Sequence, residues 1–408
     1  MSRVLVVVPP LTGHVNPTVS LGAELSDRGH EVAWAGLPGV VDRLLPGWAR
    51  FVPLVGDLDQ RGFDDMQEKG RGLRGPEALK FLWEGFIIPY AAATIAELRG
   101  IAEAFEPDVM VVDQQAVGGA VVARLLGIPW VTSATTSAEL TDPLSGLPKV
   151  DDWVRGQLLD LQIGCGIDPG EAQAAGDLRF SDHLILAFTT EALLGDTLAP
   201  ALSGAPIRFV GPSVEARSGG AGDDAAFPWH WLDPDRLHVL VTLGTVNASI
   251  GGRFFGVAAE ALAGSDMQVV MIAPPGSVDI PQGGGNILVA ERVPQLALLP
   301  HMDAVVAHGG HNTVCEALAE GLPLVLAPIR DDQPIVAEQV VRAGAGMRVK
   351  FGRVGAAELR ASVEAVLSDA SYRSAAGAIR RSFDLAGGAA AAAAAVDELL
   401  LAKESTAR

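Results

Sequence analysis

Ala304-Val305-Val306-Ala307-His308-Gly309-Gly310-His311-Asn312-Thr313-Val314-Cys315-Glu316 is the stretch on which the reading of this chain turns. Four apolar residues run into two glycines, and short polar residues then open a helical pattern that continues to Glu320. Strand, glycine turn and helix in that order describe one βα unit. Glycines let a backbone approach a ligand closely, and the free N–H groups of a helix start carry partial positive charge. Asn312 and Thr313 add short polar side chains suited to a phosphate, and His308 can donate one more hydrogen bond to a phosphate oxygen. A plain strand–helix turn capped by Asn312 explains that residue but not two flanking histidines. A zinc reading of His308 and His311 lacks a third ligand at helical spacing. The stretch reads as a diphosphate site.

Working outward, similar apolar runs recur along the chain. They are Val4–Val8, Glu31–Ala35, Val109–Val112 and Trp130–Ser133 in the first half. In the second half they are His238–Leu243, Gln268–Ala273, Ala304–Ala307 and Leu324–Ala327. Continuous runs of this kind are what parallel strands covered on both faces look like. Helical patterns lie between them, such as Thr18–Arg28 and Asn312–Glu320. The alternation predicts an α/β protein built of doubly wound units. It breaks once, where glycines 219, 220 and 222, Asp223-Asp224 and Pro228 carry no apolar period. That break predicts a first Rossmann-like domain over 1–212, a linker over 213–235 and a second Rossmann-like domain over 236–379. Two parallel-sheet domains facing across a cleft would bind ligands at the carboxyl ends of their strands.

Size and composition agree with this. The 408 residues exceed one compact core and suit two domains. A formal charge of −19 argues against a nucleic-acid footprint, which needs stripes of Lys and Arg. Cys165 and Cys315 are the two cysteines, with neither a disulfide framework nor metal-ligand spacing. The apolar run after Met1-Ser2-Arg3 stops at Pro9-Pro10, too short for a signal peptide. No uninterrupted, strongly apolar stretch reaches the ~20 residues of a membrane helix, so no stable membrane insertion is expected. The expected location is cytoplasmic, and a homodimer is the oligomer left open.

Further candidates sit at other strand ends. Gly13-His14-Val15-Asn16-Pro17 follows the first strand and opens a helix. The helix-start dipole would keep His14 neutral, as a base must be. Asp113 ends the strand Val109–Val112, and an aspartate beside a histidine fixes its tautomer and stabilises the imidazolium. A capping histidine and a turn aspartate remain the alternatives. Leu243-Gly244-Thr245 offers a polar wall for phosphates, and Asp331-Asp332-Gln333-Pro334 could hold sugar hydroxyls or simply cap a helix. Phe81, Trp83, Phe86 and Tyr90 suit either a helical core or a flat hydrophobic ligand. A dinucleotide fingerprint is absent after the first strand, which demotes a nicotinamide oxidoreductase.

Together these motifs resemble the UDP-glycosyltransferase superfamily of GT-B fold, and more narrowly bacterial natural-product glycosyltransferases of macrolide and polyketide type. Gly13–Pro17, then Val293-Pro294-Gln295, then His308–Glu316, then Asp332-Gln333 stand in the family's order and spacing. The resemblance implies His14 as general base with Asp113 as its orienting partner. It places Arg292 and Val293 against the nucleotide base, though Val293 cannot stack as the family's usual aromatic does. Gln295 and Glu316 would bind the ribose, and Thr245, His308, Gly310, Asn312 and Thr313 the diphosphate. Asp332 and Gln333 would read the sugar, and the aromatic stretch would face the acceptor. The family carries a small or aromatic residue where His311 stands, so no role passes to it. Residues 380–408 would form a helix crossing back to the first domain.

The implied activity is inverting, metal-independent hexosyl transfer in antibiotic biosynthesis, from a UDP- or dTDP-sugar to a hydroxyl of a small hydrophobic acceptor. No cofactor is expected beyond the nucleotide-sugar co-substrate. Competing readings are a nucleotide-sugar epimerase or lipid-linked sugar transferase on the same fold, or a catalytically silent homologue that activates a partner transferase. The first two would lack the Gly-His-x-x-Pro loop or show a membrane-facing patch; the last would have lost the base or the phosphate residues.

Overall fold

The structure is a computed structural model, and it describes residues 1–54, 56, 58–70, 72, 73, 75–214, 227–244 and 251–406. Thr245 and most of the expected linker therefore lie outside the described residues. The chain divides into two compact units. One comprises Met1–Phe188, Thr197–Ala216 and Ala386–Arg408; the other comprises Thr189–Asp196 and Arg217–Leu385.

In the first unit, seven parallel strands among the described residues form one sheet. They are β1 (Arg3–Val7), β2 (Glu31–Gly36), β3 (Arg50–Pro53), β4 (Val109–Asp113), β5 (Trp130–Ala134), β6 (Ile185–Ala187) and β7 (Ile207–Phe209). Their order is β3-β2-β1-β4-β5-β6-β7. Successive side chains of a strand point to opposite faces. Leu5 and Val7 accordingly join one core with the helix Ile88–Phe105, through Ala91, Ile95 and Leu98. Val4 and Val6 join another with the helix α1 (Thr12–Asp27), through Val19, Leu21 and Leu25. Both faces are covered, which is why the strands read as unbroken apolar runs.

The second face is completed by the C-terminal helix Gly388–Thr406, whose Ala392, Ala393, Val396 and Leu400 enter the same core as α1. Alanines bring the two helices close. Ionic contacts then fix the seam at its edge: Arg28 Nη1 lies 3.0 Å from Asp397 Oδ2, and His30 Nε2 lies 2.7 Å from Asp397 Oδ1. Two helical stretches, Pro76–Phe105 and Ala370–Lys403, match a membrane span in length and mean hydropathy (1.2 and 1.5). Neither is an uninterrupted apolar run: Glu77, Lys80 and Glu84 break the first, and Arg380, Arg381 and Asp384 the second. Residues such as Ile95, Leu98, Phe383 and Val396 are nonetheless buried in the protein's own core.

In the second unit, six parallel strands among the described residues form the sheet: β8 (His238–Thr242), β9 (Gln268–Ile272), β10 (Ile287–Ala290), β11 (Ala304–Ala307), β12 (Leu324–Leu326) and β13 (Gly346–Arg348). The order is β10-β9-β8-β11-β12-β13. Helices Gly252–Leu262 and Ala356–Ser368 pack on one face through Phe255, Ala258, Leu359 and Val363. The expected strands are all present; β3, β6, β7, β10 and β13 are additional. They are short, three or four residues each, and carry too little periodic signal to be read alone.

Two buried polar contacts in the first unit tie β2 to α1 and hold the turn after β5. Trp34 on β2 is fully buried, donates from Nε1 to Thr18 Oγ1 at 3.0 Å, and lies across α1 at Gly22. A Cβ at Gly22 would fall 2.2 Å from Trp34 Cη2. Arg179 bonds both oxygens of Asp177 through Nε at 2.9 and 3.0 Å, pairs with Glu139 in the turn after β5, and lies 5.6 Å over the Trp83 ring. A buried cation is tolerated here because two carboxylates and an aromatic face replace its water.

The Gly22 contact yields a test. In a free helix Gly→Ala stabilises by about 1 kcal/mol. At Gly22 the overlap with Trp34 reverses the sign, and Gly22→Ala is expected to cost about 1–2 kcal/mol, a typical overpacking penalty. Urea unfolding checks this; a higher midpoint would show that Trp34 can move aside.

Candidate functional site

In a doubly wound sheet, strand order reverses once, and helices leaving the two central strands depart to opposite faces. That leaves a crevice at the carboxyl ends of those strands. In the first unit the reversal falls between β1 and β4, which pair with Val7 opposite Val112. Beyond this pair lie two residues singled out in the sequence: Asp113, which ends β4, and His14, in the first turn of α1. The helix begins at Thr12, six residues before the expected start, and runs through Pro17. Packing of Val15, Thr18, Val19 and Leu21 holds it despite the N–H that proline lacks.

His14 Nδ1 lies 2.9 Å from both Oδ1 and Oδ2 of Asp113. The Asp113 side chain is 0% exposed and that of His14 is 15% exposed. The carboxylate also accepts the Gln115 backbone N–H at 2.8 Å and the Thr135 hydroxyl at 3.0 Å. A carboxylate opposite Nδ1 places the imidazole proton on that nitrogen, so Nε2 carries the lone pair. Such a ring can accept a proton at Nε2, and the buried carboxylate stabilises the resulting cation. Thr135 was missed in the sequence. The available signal was its place two residues after Ser133, the register partner of Asp113, and hence on the same face.

The aromatic stretch behaves otherwise. Trp83, Phe86 and Tyr90 are buried, with Phe86 stacked on Tyr90 at 6.1 Å and the Tyr90 hydroxyl donating to the Val8 carbonyl at 3.4 Å. Burial pushes the Tyr90 phenol well above its usual range. These three side chains pack into the core, and Phe81 is half-buried. The stretch faces inward because its helix roofs the Leu5–Val7 side of the sheet.

In the second unit the reversal falls between β8 and β11, with Thr242 opposite Ala307. Beyond them lie Gly244 and His308-Gly309-Gly310. The glycines have separate reasons. Gly309 adopts φ +87, and a Cβ there would sit 3.1 Å from the Gln333 carbonyl. Gly244 and Gly310 flank the His308 ring, where added Cβ atoms would come within 2.7 Å of Cε1 and 2.4 Å of Nε2. Gly310 caps the helix His311–Ala319, whose first turn carries half-buried Asn312 and Thr313. Burial pushes His308 down to about 4, so the ring is neutral, and Nδ1 has no partner among the described residues.

His311 turns the other way. It is buried, and its Nε2 accepts the Cys315 thiol one turn along at 3.5 Å. Burial, with Glu316 adding to it, pushes that thiol far up, so it stays protonated and donates. Downstream, Gln295 Nε2 donates to Glu316 Oε2 at 2.6 Å, joining two residues 21 apart in sequence. Arg292 is exposed and Val293 half-buried just past β10. Asp332 caps the helix Gln333–Arg342. Gln333 is buried, and its Oε1 accepts the Ile329 and Arg330 N–H groups at 3.0 and 3.2 Å, so that oxygen is committed to the turn. Asp331 takes the left-handed φ of 57, and burial raises its carboxyl even with Arg330 beside it. Among the described residues no group of three or more His, Cys, Asp or Glu side chains is placed to hold a metal ion.

The His308 shift has a sign. With the folded value near 4 and the unfolded value at 6.5, the unfolded chain binds the extra proton between those limits. The stability this residue contributes is therefore intact above pH 6.5 and lost as pH falls towards 4. In His308→Asn that part of the acid loss should disappear, read as a flatter Tm against pH profile; an unchanged slope would contradict a buried neutral ring.

Residues 259–390 match the family model of the erythromycin biosynthesis protein CIII-like C-terminal domain. The chain is 31% identical to 4'-demethylrebeccamycin synthase of Lentzea aerocolonigenes, over 94% of this chain and 96% of that one. Among solved structures, the calicheamicin glycosyltransferase CalG4 aligns at 24% identity with a TM-score of 0.76, over 98% of both chains. Glycosyltransferase VinC in complex with dTDP aligns at 22% identity and a TM-score of 0.70, over 98% of this chain and 99% of that one. The two sheets share this architecture, and the full-length identity carries the family with it: the chain belongs to the natural-product glycosyltransferases of the UDP-glycosyltransferase superfamily, with the GT-B fold.

Proposed function

We propose that this glycosyltransferase moves a hexose or deoxyhexose from a UDP- or dTDP-sugar to a hydroxyl of a small hydrophobic natural-product acceptor, inverting the anomeric centre without a metal. The observation that carries the reading is His14 Nδ1 at 2.9 Å from both oxygens of buried Asp113. His14 Nε2 takes the proton of the acceptor hydroxyl as its oxygen bonds the anomeric carbon. The bond from that carbon to the diphosphate oxygen breaks, and the nucleoside diphosphate leaves with the electron pair. One displacement on the face opposite the leaving group gives inversion.

The second unit supplies the groups for that leaving group. His308, Gly310, Asn312 and Thr313 surround a helix start, where N–H donors and the helix dipole favour an anion. Donors already in place before reaction are worth about 10²–10³ in rate each. Thr245 belongs to the same reading but lies outside the described residues. The bonded pair Gln295–Glu316 is assigned to the ribose, Arg292 and Val293 to the base, and Asp332 and Gln333 to the sugar, Gln333 through its amide nitrogen. The dTDP complex of a protein with this fold supports a pyrimidine diphosphate donor.

Two measurements test the proposal. UDP or dTDP should raise the Tm of the wild type, since a ligand bound only to the folded state stabilises it, and His308→Ala should lose most of that rise. If neither nucleotide shifts the wild type, the donor assignment fails. Nucleoside diphosphate release from UDP-glucose or dTDP-glucose, with macrolide and aromatic polyketide aglycones as acceptors, should fall about 10²-fold or more in His14→Ala. Undiminished turnover would remove His14 as the base, and a product with retained anomeric configuration would rule out single displacement.

A further inference from the structure

The pairing of His14 with Asp113 does not account for every contact at that carboxylate. Thr135 is buried one residue beyond β5. Its hydroxyl donates to Asp113 Oδ2 at 3.0 Å, and its oxygen lies 2.9 Å from His14 Nδ1. The Gln115 backbone N–H takes Oδ1 at 2.8 Å. Each carboxylate oxygen thus holds a fixed donor besides His14. A carboxylate bonded to an imidazole alone can turn about its terminal, roughly two-fold torsion and offer either oxygen. Here one oxygen is tied to a backbone N–H and the other to a hydroxyl on the neighbouring strand, so that rotation is closed.

The β4–β5 register brings Thr135 there. Asp113 stands opposite Ser133, and Thr135 lies on the same face one step further towards the carboxyl end. The Ser133 hydroxyl, nearer in register, has no partner among the described residues, so the engagement is specific to position 135. We propose that Thr135 is a positioning residue of this site: its hydroxyl locks the Asp113 carboxylate and, through it, the plane and tautomer of the His14 ring. The inference rests on the reading of His14 as the base and adds a third member to that pair.

Removing the hydroxyl takes a donor from the carboxylate and concentrates its charge opposite the imidazole. A charge-assisted bond outweighs the lost contact to a neutral oxygen, so the imidazolium gains. In protein labelled with ¹³C and ¹⁵N histidine, the His14 Cε1–H resonance is identified by its loss in His14→Gln and followed against pH. The wild type should show one sharp resonance. Thr135→Val should raise its titration midpoint by about half a unit or more, with the line broadened or doubled as the ring samples a second orientation. Thr135→Ser should restore both, and Thr135→Ala replaces the valine variant if that one does not fold.

A wild-type midpoint and line shape in Thr135→Val, with the other histidine resonances unmoved, would overturn the proposal. A downward shift would overturn it too, because the hydroxyl would then serve the imidazolium as an acceptor. The base reading fails on a separate observation: ¹⁵N shifts of the wild type above its midpoint that place the proton on Nε2 instead of Nδ1.

Discussion

Everything of chemical interest in this protein follows from one topological constraint, the single reversal of strand order in each parallel sheet. Between β1 and β4, and again between β8 and β11, neighbouring strands send their following segments to opposite sides, and a crevice opens at their carboxyl ends. Those crevices receive His14 and Asp113 in one unit and Gly244 and His308–Gly310 in the other. Residues separated by 99 positions meet at 2.9 Å because parallel pairing puts Val7 beside Val112.

The two histidines at these strand ends stand in different environments. His14 is partly exposed and faces a buried carboxylate. His308 is buried between glycines with no carboxylate against it among the described residues, and burial keeps it neutral down to about pH 4. A neutral ring beside a helix start can donate a hydrogen bond to an anion without needing to be charged first. His311, three residues on, is buried as well. Its ring points along its own helix to Cys315 and serves the packing of the turn.

The placement of the candidate residues was legible where chemistry and strand end coincide in sequence. His14, Asp113 and the His308–Thr313 turn stand directly after long apolar runs, and the structure puts each at a strand-end crevice. Thr135 was less visible, because a threonine after a strand has many uses and its partner lies 22 residues away. The aromatic stretch stayed ambiguous for a related reason: a π-helical turn over Phe81–Ile87 rotates the faces of that helix, and composition alone cannot tell an inward aromatic from an outward one. Gln333 read as either a sugar contact or part of a helix cap, and its oxygen is bonded to the turn that precedes it.

By itself the sequence determined the class of the protein. Unbroken β-branched runs alternating with helical patterns admit little besides parallel sheets covered on both faces, and the glycine-flanked histidine stretch points to an anion at a helix start. Tertiary structure alone decided the short outer strands β3, β6, β7, β10 and β13, which exist because a neighbouring strand offers them hydrogen bonds. It decided which polar atoms are already engaged and that the C-terminal helix shares its core with α1 and not with the helix Ile88–Phe105. These are long-range facts. A periodic pattern reports what a residue's own element requires, whereas a partner reached across a sheet is set by register and burial, and neither is written locally in the chain.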